Sequence, residues 1–298
     1  MAHAALQSTT AAGPARALLL MLAAMASFVA NDTLVKTVID DLPLGEIIVV
    51  RGIMAAAFIG LIARAQGVAV RLPALMTKVV LLRAGLDSIG TMLFLAALVA
   101  MPIANLTAVM QAVPLIVTLI GMLFLGERVG WRRMLAITIG FCGVLLVVKP
   151  AATGPTLYEL CALGVVFAVA IRDVVTRRIP AGIPSIAIAL VNAAVVTLAG
   201  VAMLAFQDLL PLSPGQFMRL AGAAVFLATG YMCMVATLRA AQLSATAPAR
   251  YSIIVFAILS GIVFFGEIPD RWAFLGIALI VASGLYAIYR ERRQSTQP

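Results

Sequence analysis

Apolar residues fill this chain in long runs, and dividing it at charges, prolines and glycines leaves ten segments. Each has roughly 20 residues, the length at which a helix crosses a ~30 Å hydrocarbon core. The first five are 16–38, 44–65, 75–100, 103–125 and 131–148. The second five are 157–178, 185–206, 216–240, 243–265 and 272–289. The pattern predicts an all-α integral membrane protein of ten transmembrane helices.

The segments repeat. A shift of 141 residues superposes Asp32 on Asp173, Lys36 on Arg177, Pro43 on Pro184 and Pro73 on Pro214. The shift becomes 140 farther on, where Gly90 meets Gly230, Gly121 meets Gly261, and Phe124 with Gly126 and Glu127 meets Phe264 with Gly266 and Glu267. It then returns to 141, with Trp131 on Trp272 and Gly143 on Gly284. Apolar runs align easily, whereas rare Gly, Pro, Trp and charged landmarks do not, so the chain reads as two homologous halves, residues 1–150 and 151–298. Five spans per half is an odd number, so the second half enters the membrane upside down. Two inverted five-helix repeats of this kind frame a site at the interface of the halves, which can open alternately to each side.

Composition agrees with lipid as the main solvent: 63% of residues are hydrophobic, 11% are charged and the mean hydropathy is +1.12. The net charge of +9 raises the question of nucleic acid, but the basic residues sit at the ends of apolar segments and form no stripe with interleaved aromatics, so nucleic acid is not a partner. With the amino terminus in the cytoplasm, thirteen of the twenty-one basic residues, among them Arg64, Arg71, Lys78, Arg128, Arg177 and Arg239, fall inside. Only Lys36, Lys149, Arg219 and Arg271 fall outside, and Arg51, Arg83, Arg172 and Arg250 lie within spans. That bias puts both termini on the cytoplasmic side of the membrane. A leader cleaved near Ala24 and Ala26 is the competing reading, but cleavage there would remove half of a span that the repeat needs. Cys142, Cys161 and Cys233 lie in apolar stretches without a CxxC pair, and the one histidine, His3, lies in an Ala-rich tail, so no disulfide framework, metal site or cofactor is indicated. The number of chains in the assembly stays open.

Two repeated five-helix blocks, each with a Gly-Glu ahead of a Trp-containing start of its last helix, resemble the EamA-type family of the drug/metabolite transporter superfamily. The resemblance covers nearly the whole chain. It implies a ten-helix basket whose central cavity is lined by the first, third, fourth, sixth, eighth and ninth spans, with the last span of each half outside it. It also implies export of small metabolites, with amino acids, aromatic or neutral, the first choice because amino-acid exporters of the family are similar in length and topology.

Charges at bilayer depth cost about 3 kcal/mol or more, which makes ionisable residues inside spans the candidates for a site. Asp87 lies near the middle of the third span, and Arg83, one turn earlier on the same face, can pair with it within the helix. The pair reads equally as a zwitterion site or protonation switch and as internal neutralisation. Asn31 and Asp32 in the first span have Arg172 and Asp173 as equivalents in the sixth, which would set one polar group near each mouth of a cavity. For Arg172, snorkelling to the membrane surface is the competing explanation. Gln111, Tyr231, Arg250 and Tyr251 bring polar groups to the fourth, eighth and ninth spans, with helix packing as the alternative. Arg51 and Asn192, another equivalent pair, rank lower because their spans are expected to be peripheral. Pro114 and Pro248 can kink their helices, and Glu127 and Glu267 read as loop and cap residues.

No G-x-x-x-x-G-K-[ST] loop is present, so drive comes from facilitated diffusion or from protons, for which Asp32, Asp87 and Asp173 are the carboxylates deep enough. The rival classes are an intramembrane enzyme built on Asp32 with Asp173, and a channel or lipid translocator. The former lacks Gly-x-Gly-Asp, HExxH and a serine with a usable histidine.

Overall fold

The structure is a computed structural model that describes residues 14–65, 67, 77–124, 126, 130–149, 156–180, 182–240 and 248–295. Among the described residues all regular structure is helical. Helices α1 (Pro14–Lys36), α2 (Leu44–Ala65) and α3 (Lys78–Ala100) are followed by α4 (Ile103–Met110), α5 (Val113–Phe124) and α6 (Trp131–Val148). Then come α7 (Leu157–Thr176), α8 (Ser185–Leu204), α9 (Pro214–Ala240), α10 (Ser252–Ser260), a π-helical turn (Gly261–Phe265) and α11 (Arg271–Ser295). Every one of the ten apolar segments contains one or two of these helices.

Among the described residues, seven stretches are long and apolar enough to cross a membrane. Met134–Val148 and Arg271–Ala287 are shorter apolar helices. Helix α7 has the length, but carries Glu159, Arg172 and Asp173. Its start is fixed by a capping box: Thr156 accepts from the Glu159 N–H, and the Glu159 side chain accepts from the Thr156 N–H.

The fourth apolar segment is two helices. Proline has no N–H to give and its ring crowds the preceding turn, so Pro114 breaks the ladder one turn toward the amino terminus. The chain there turns at Gln111 and Ala112, whose N–H groups bond to Ala108 and Val109 oxygens at 3.0 Å. The ninth segment ends differently, in the π turn. Gly266 follows with φ of 66°, a left-handed conformation suited to glycine. It lets the Glu267 N–H return to the Gly261 oxygen at 2.9 Å and turns the Glu267 side chain back toward α4.

The packing is an exchange of partners between halves. Helix α1 lies along α9 as α3 lies along α7, α2 touches α9 as α3 touches α8, and α1 meets α10 as α7 meets α4 and α5. The pairs α2 with α8, α6 with α11, and α4 with α10 are each their own counterpart. Replacing every helix by its repeat equivalent turns this set of contacts into itself. Helices α6 and α11 neighbour only each other and the α4–α5 segment among the stronger contacts, which leaves them at the edge. They approach backbone to backbone at Gly143 and Gly276, where an added Cβ would stand 2.7 Å and 2.6 Å from the facing carbonyl oxygen. Lipid gives helices no hydrophobic reason to associate, so such small-residue contacts and interhelical hydrogen bonds carry the packing. Leu19, Leu61, Phe124, Phe206 and Val263 are left broadly exposed, as a hydrocarbon solvent allows.

Candidate functional site

Polar side chains gather in two layers inside this apolar bundle. The first joins α1 and α2: Arg51, 9% exposed, donates from Nη1 to Asn31 Oδ1 at 3.5 Å, and Asn31 Nδ2 donates to Asp32 Oδ1 at 2.8 Å. Asp32 and Arg51 attract one another across a longer gap. The second layer joins α3, α7 and α8. Arg172 Nη1 donates to Asp87 Oδ1, while its Nε and Nη2 donate to Asp173 Oδ1 at 3.0 Å and 2.7 Å. Asn192 Nδ2 donates to Asp87 Oδ2, and Asn192 Oδ1 accepts from Arg83 Nη1 at 3.2 Å. Arg83 Nε also donates to Thr176 Oγ1 at 3.2 Å.

Tyr231 of α9, 40% exposed, is within electrostatic reach of members of both layers, Arg51 as well as Asp87, Arg172 and Arg83. Its ring meets Phe28 of α1 edge to face, with centroids 5.5 Å apart. Three guanidinium groups and three carboxylates share the two layers, so the interior is charge-matched and each charge is tolerated only because its counter-charge is near.

The sequence expectation for Arg83 and Asp87 needs correction. They form no ion pair with each other: Asp87 takes Arg172 from α7, and Asn192 bridges Arg83 to Asp87. The reading of Arg172 as a snorkelling surface residue is likewise overturned. Its guanidinium turns inward to two carboxylates, because in a low dielectric a nearby opposite charge outweighs a reach for the membrane surface. Arg51 and Asn192, ranked low, sit one in each layer. The usable signal was there: an arginine in mid-span, aligned with another polar residue under the 141-residue shift.

Asn31, Asp32, Arg83, Asp87, Arg172, Asp173 and Tyr231 are therefore brought together, and three other candidates are not. Gln111 marks the break between α4 and α5. Tyr251 is 8% exposed inside an apolar cluster with Val165, Val166, Ile254 and Ile280, its hydroxyl against Gly284. Arg250 is exposed at the foot of α10. Glu127, Arg71, Arg128 and His3 lie outside the described residues.

One end of the bundle is tied across the halves. Lys36, ending α1, donates to Glu267 Oε1 at 2.5 Å and to the Met101 oxygen at 2.8 Å. Glu267 Oε2 accepts from the Ile103 N–H at 3.0 Å, capping α4. One turn deeper, Thr33 and Ser260 share a 2.5 Å hydrogen bond. Glu267 is thus the cap residue the sequence implied, and an ion-pair partner besides.

The sequence pattern that defines the EamA-like transporter family matches the chain twice, over residues 15–149 and 156–289. An S-adenosylmethionine uptake transporter of Rickettsia conorii is 26% identical over 197 residues, 64% of this chain and 65% of that protein. The match thus spans slightly under two thirds of that relative's length. The pseudopaline exporter CntI of Pseudomonas aeruginosa is 26% identical over 267 residues, 88% of this chain and 93% of the exporter. A riboflavin transporter of Rhizobium johnstonii is 27% identical over 226 residues, 73% and 72% of the two chains. A solved structure described only as a crystal structure of protein covers 95% of this chain and 99% of its own, with a TM-score of 0.65 and 18% identity, and shares the fold.

Proposed function

The chain belongs to the EamA-like transporter family, and we propose that it carries a small solute, most simply a neutral or aromatic amino acid, across the bacterial inner membrane by alternating access. On this reading the chain makes ten membrane crossings in two inverted repeats, and the helix contacts, which exchange into one another when the halves are exchanged, support it. The observation that carries it is the pair of polar layers held inside an apolar bundle at equivalent positions of the two halves, Asn31, Asp32 and Arg51 against Arg172, Asp173 and Asn192. A solute passing between them meets first one layer and then the other, and rocking of the halves exposes each in turn.

With both termini in the cytoplasm, the tied end of Lys36, Met101, Ile103 and Glu267 is the outer one. The conformation is then closed to the outside. The charge-matched interior favours a solute that is neutral or carries both signs, since a lone charge would enter without a counter-ion. Relatives are named for uptake as well as for export, and export is the direction proposed here. Protons are the proposed coupling partner if transport is concentrative, with Asp32, Asp87 and Asp173 as the carboxylates available. The relatives named above are transporters and an exporter, not enzymes.

The test is flux through purified protein in liposomes. Labelled L-leucine and L-phenylalanine are expected to move saturably and to show counterflow, which a channel does not. Absence of saturable flux for amino acids, with saturable flux for a nucleoside, nucleotide sugar or cationic drug, would replace the substrate; absence for all of them would end the transporter reading.

A further inference from the structure

The two layers are equivalent in position but unequal in saturation. In the layer of α3, α7 and α8, both oxygens of Asp87 receive a donor, and Arg172 spends three nitrogens on two carboxylates. Asp87 is thereby saturated, and Asp173, whose side chain is 43% exposed, keeps its second oxygen toward the outside of the network. Arg51 stands where the second half has Asn192, and it makes one hydrogen bond at the long limit, 3.5 Å. A guanidinium presents five donors in a planar fork. The remaining Arg51 donors have no partner among the described residues, although the residue is only 9% exposed. They are also not sealed in protein, as the unpartnered atoms Asn105 Oδ1 and Ser252 Oγ are. The slight exposure of Arg51 therefore lies at least partly on its donor atoms. Asp32 Oδ1 is taken by Asn31, and its Oδ2 has no partner among the described residues.

A buried cation with an open fork, a carboxylate with an open oxygen joined to it through Asn31, and Phe28, one turn before Asp32 on α1, with the Tyr231 ring against it match a ligand with both charges and an apolar side chain. We propose that Arg51 receives the carboxylate of a small zwitterionic solute and Asp32 its ammonium, with Phe28 and Tyr231 against its side chain. Binding then leaves no uncompensated charge: each end of the solute meets its opposite, bidentately at Arg51. The Arg172–Asp87–Asn192 layer acts as the interhelical tie, not the binding group. This proposal rests on the amino-acid reading above.

The experiment measures liposome uptake of labelled L-phenylalanine and its competition by phenethylamine, which lacks the carboxylate, and by 3-phenylpropionate, which lacks the ammonium. In wild type both analogues are expected to compete at least ~10-fold more weakly than L-phenylalanine, the loss of one hydrogen-bonded charge. Arg51→Gln should raise KM for L-phenylalanine roughly 10- to 100-fold and let phenethylamine compete as well as L-phenylalanine does. Arg51→Lys, which keeps the charge and guards against a folding failure, should recover part of the preference. Asp32→Asn should erase the discrimination against 3-phenylpropionate instead. A purely structural Arg51 would lower protein yield and maximal rate while leaving the analogue preference unmoved, and that result overturns the proposal, as does a preference lost in Arg172→Gln but kept in Arg51→Gln. Wild-type protein that moves no amino acid refutes the substrate reading itself, an outcome distinct from wild-type flux that is indifferent to Arg51.

Discussion

Replacing Glu267 by Gln removes one charge from the tie at the Lys36 end and leaves the shape nearly unchanged. Lys36 would keep the Met101 oxygen at 2.8 Å and the face of Phe265, 5.2 Å from ring centroid to ammonium, but lose its ion-pair partner at 2.5 Å. The side chains are 10% and 22% exposed, so the pair is neither a solvated surface contact of under ~1 kcal/mol nor a fully buried one, whose rupture costs about 3–5 kcal/mol. About 2 kcal/mol is the intermediate value. If the tie exists only with this end closed, the full loss falls on the closed state and moves the open-to-closed ratio about 30-fold. The assay places a single cysteine at Ala257, which is fully buried beneath the tie against Val29 and Ala104, in a chain lacking Cys142, Cys161 and Cys233. A membrane-impermeant thiol reagent applied from outside should label Glu267→Gln faster than its parent by up to that factor. Equal labelling in parent and Glu267→Gln would refute the gate.

Asp87→Asn should lower thermal stability in detergent by roughly 3 kcal/mol, because Arg172 loses one of its two carboxylates and only the Arg83 hydrogen bonds to Thr176 and Asn192 still tie α3 to α7 and α8 at full strength; an unchanged melting profile would deny the layer its structural role. Gly143→Leu or Gly276→Leu should reduce the yield of folded protein, since even a Cβ would approach the facing carbonyl oxygen to 2.7 Å or 2.6 Å; wild-type yield and melting would mean that α6 and α11 do not pack as described. At the Lys149 end of α6, the hydrogen bond from Lys149 and the Ala273 N–H hold the Asp270 carboxyl below the usual aspartate range. A lowered acid pKa stabilises the fold above the ordinary aspartate range and loses that effect as pH falls through the lowered value. The melting difference between wild type and Asp270→Asn should therefore be present at neutral pH and vanish only in strong acid; a difference that disappears well above the ordinary aspartate range would contradict this.

Much of the architecture was legible in the chain because it is local. A run of apolar residues long enough to span a bilayer must satisfy its backbone within itself, so 44–65, 78–100 and 185–204 are helices whatever surrounds them. The 141-residue shift came from landmarks that need no knowledge of contacts, and the packing exchanges along the same correspondence. Pro114 foretold a disturbance of the fourth span, though not that it would become a two-residue break at Gln111 and Ala112. The π turn ahead of Gly266 left no mark that could be read beforehand.

The site was less legible because its pairings are not local. Along the sequence alone, the nearest partner for Asp87 is Arg83, one turn away; in space it is Arg172, 85 residues on, with Asn192 interposed. Composition and periodicity determined that this chain lives in lipid, that it is helical, and that a few charges must be hidden inside it. Tertiary structure alone decided which charges meet, which are saturated and which are left open. The physical reason is that helix formation depends on residues within one turn, whereas a buried charge is settled by whichever opposite charge the packing of distant helices brings within a few ångströms.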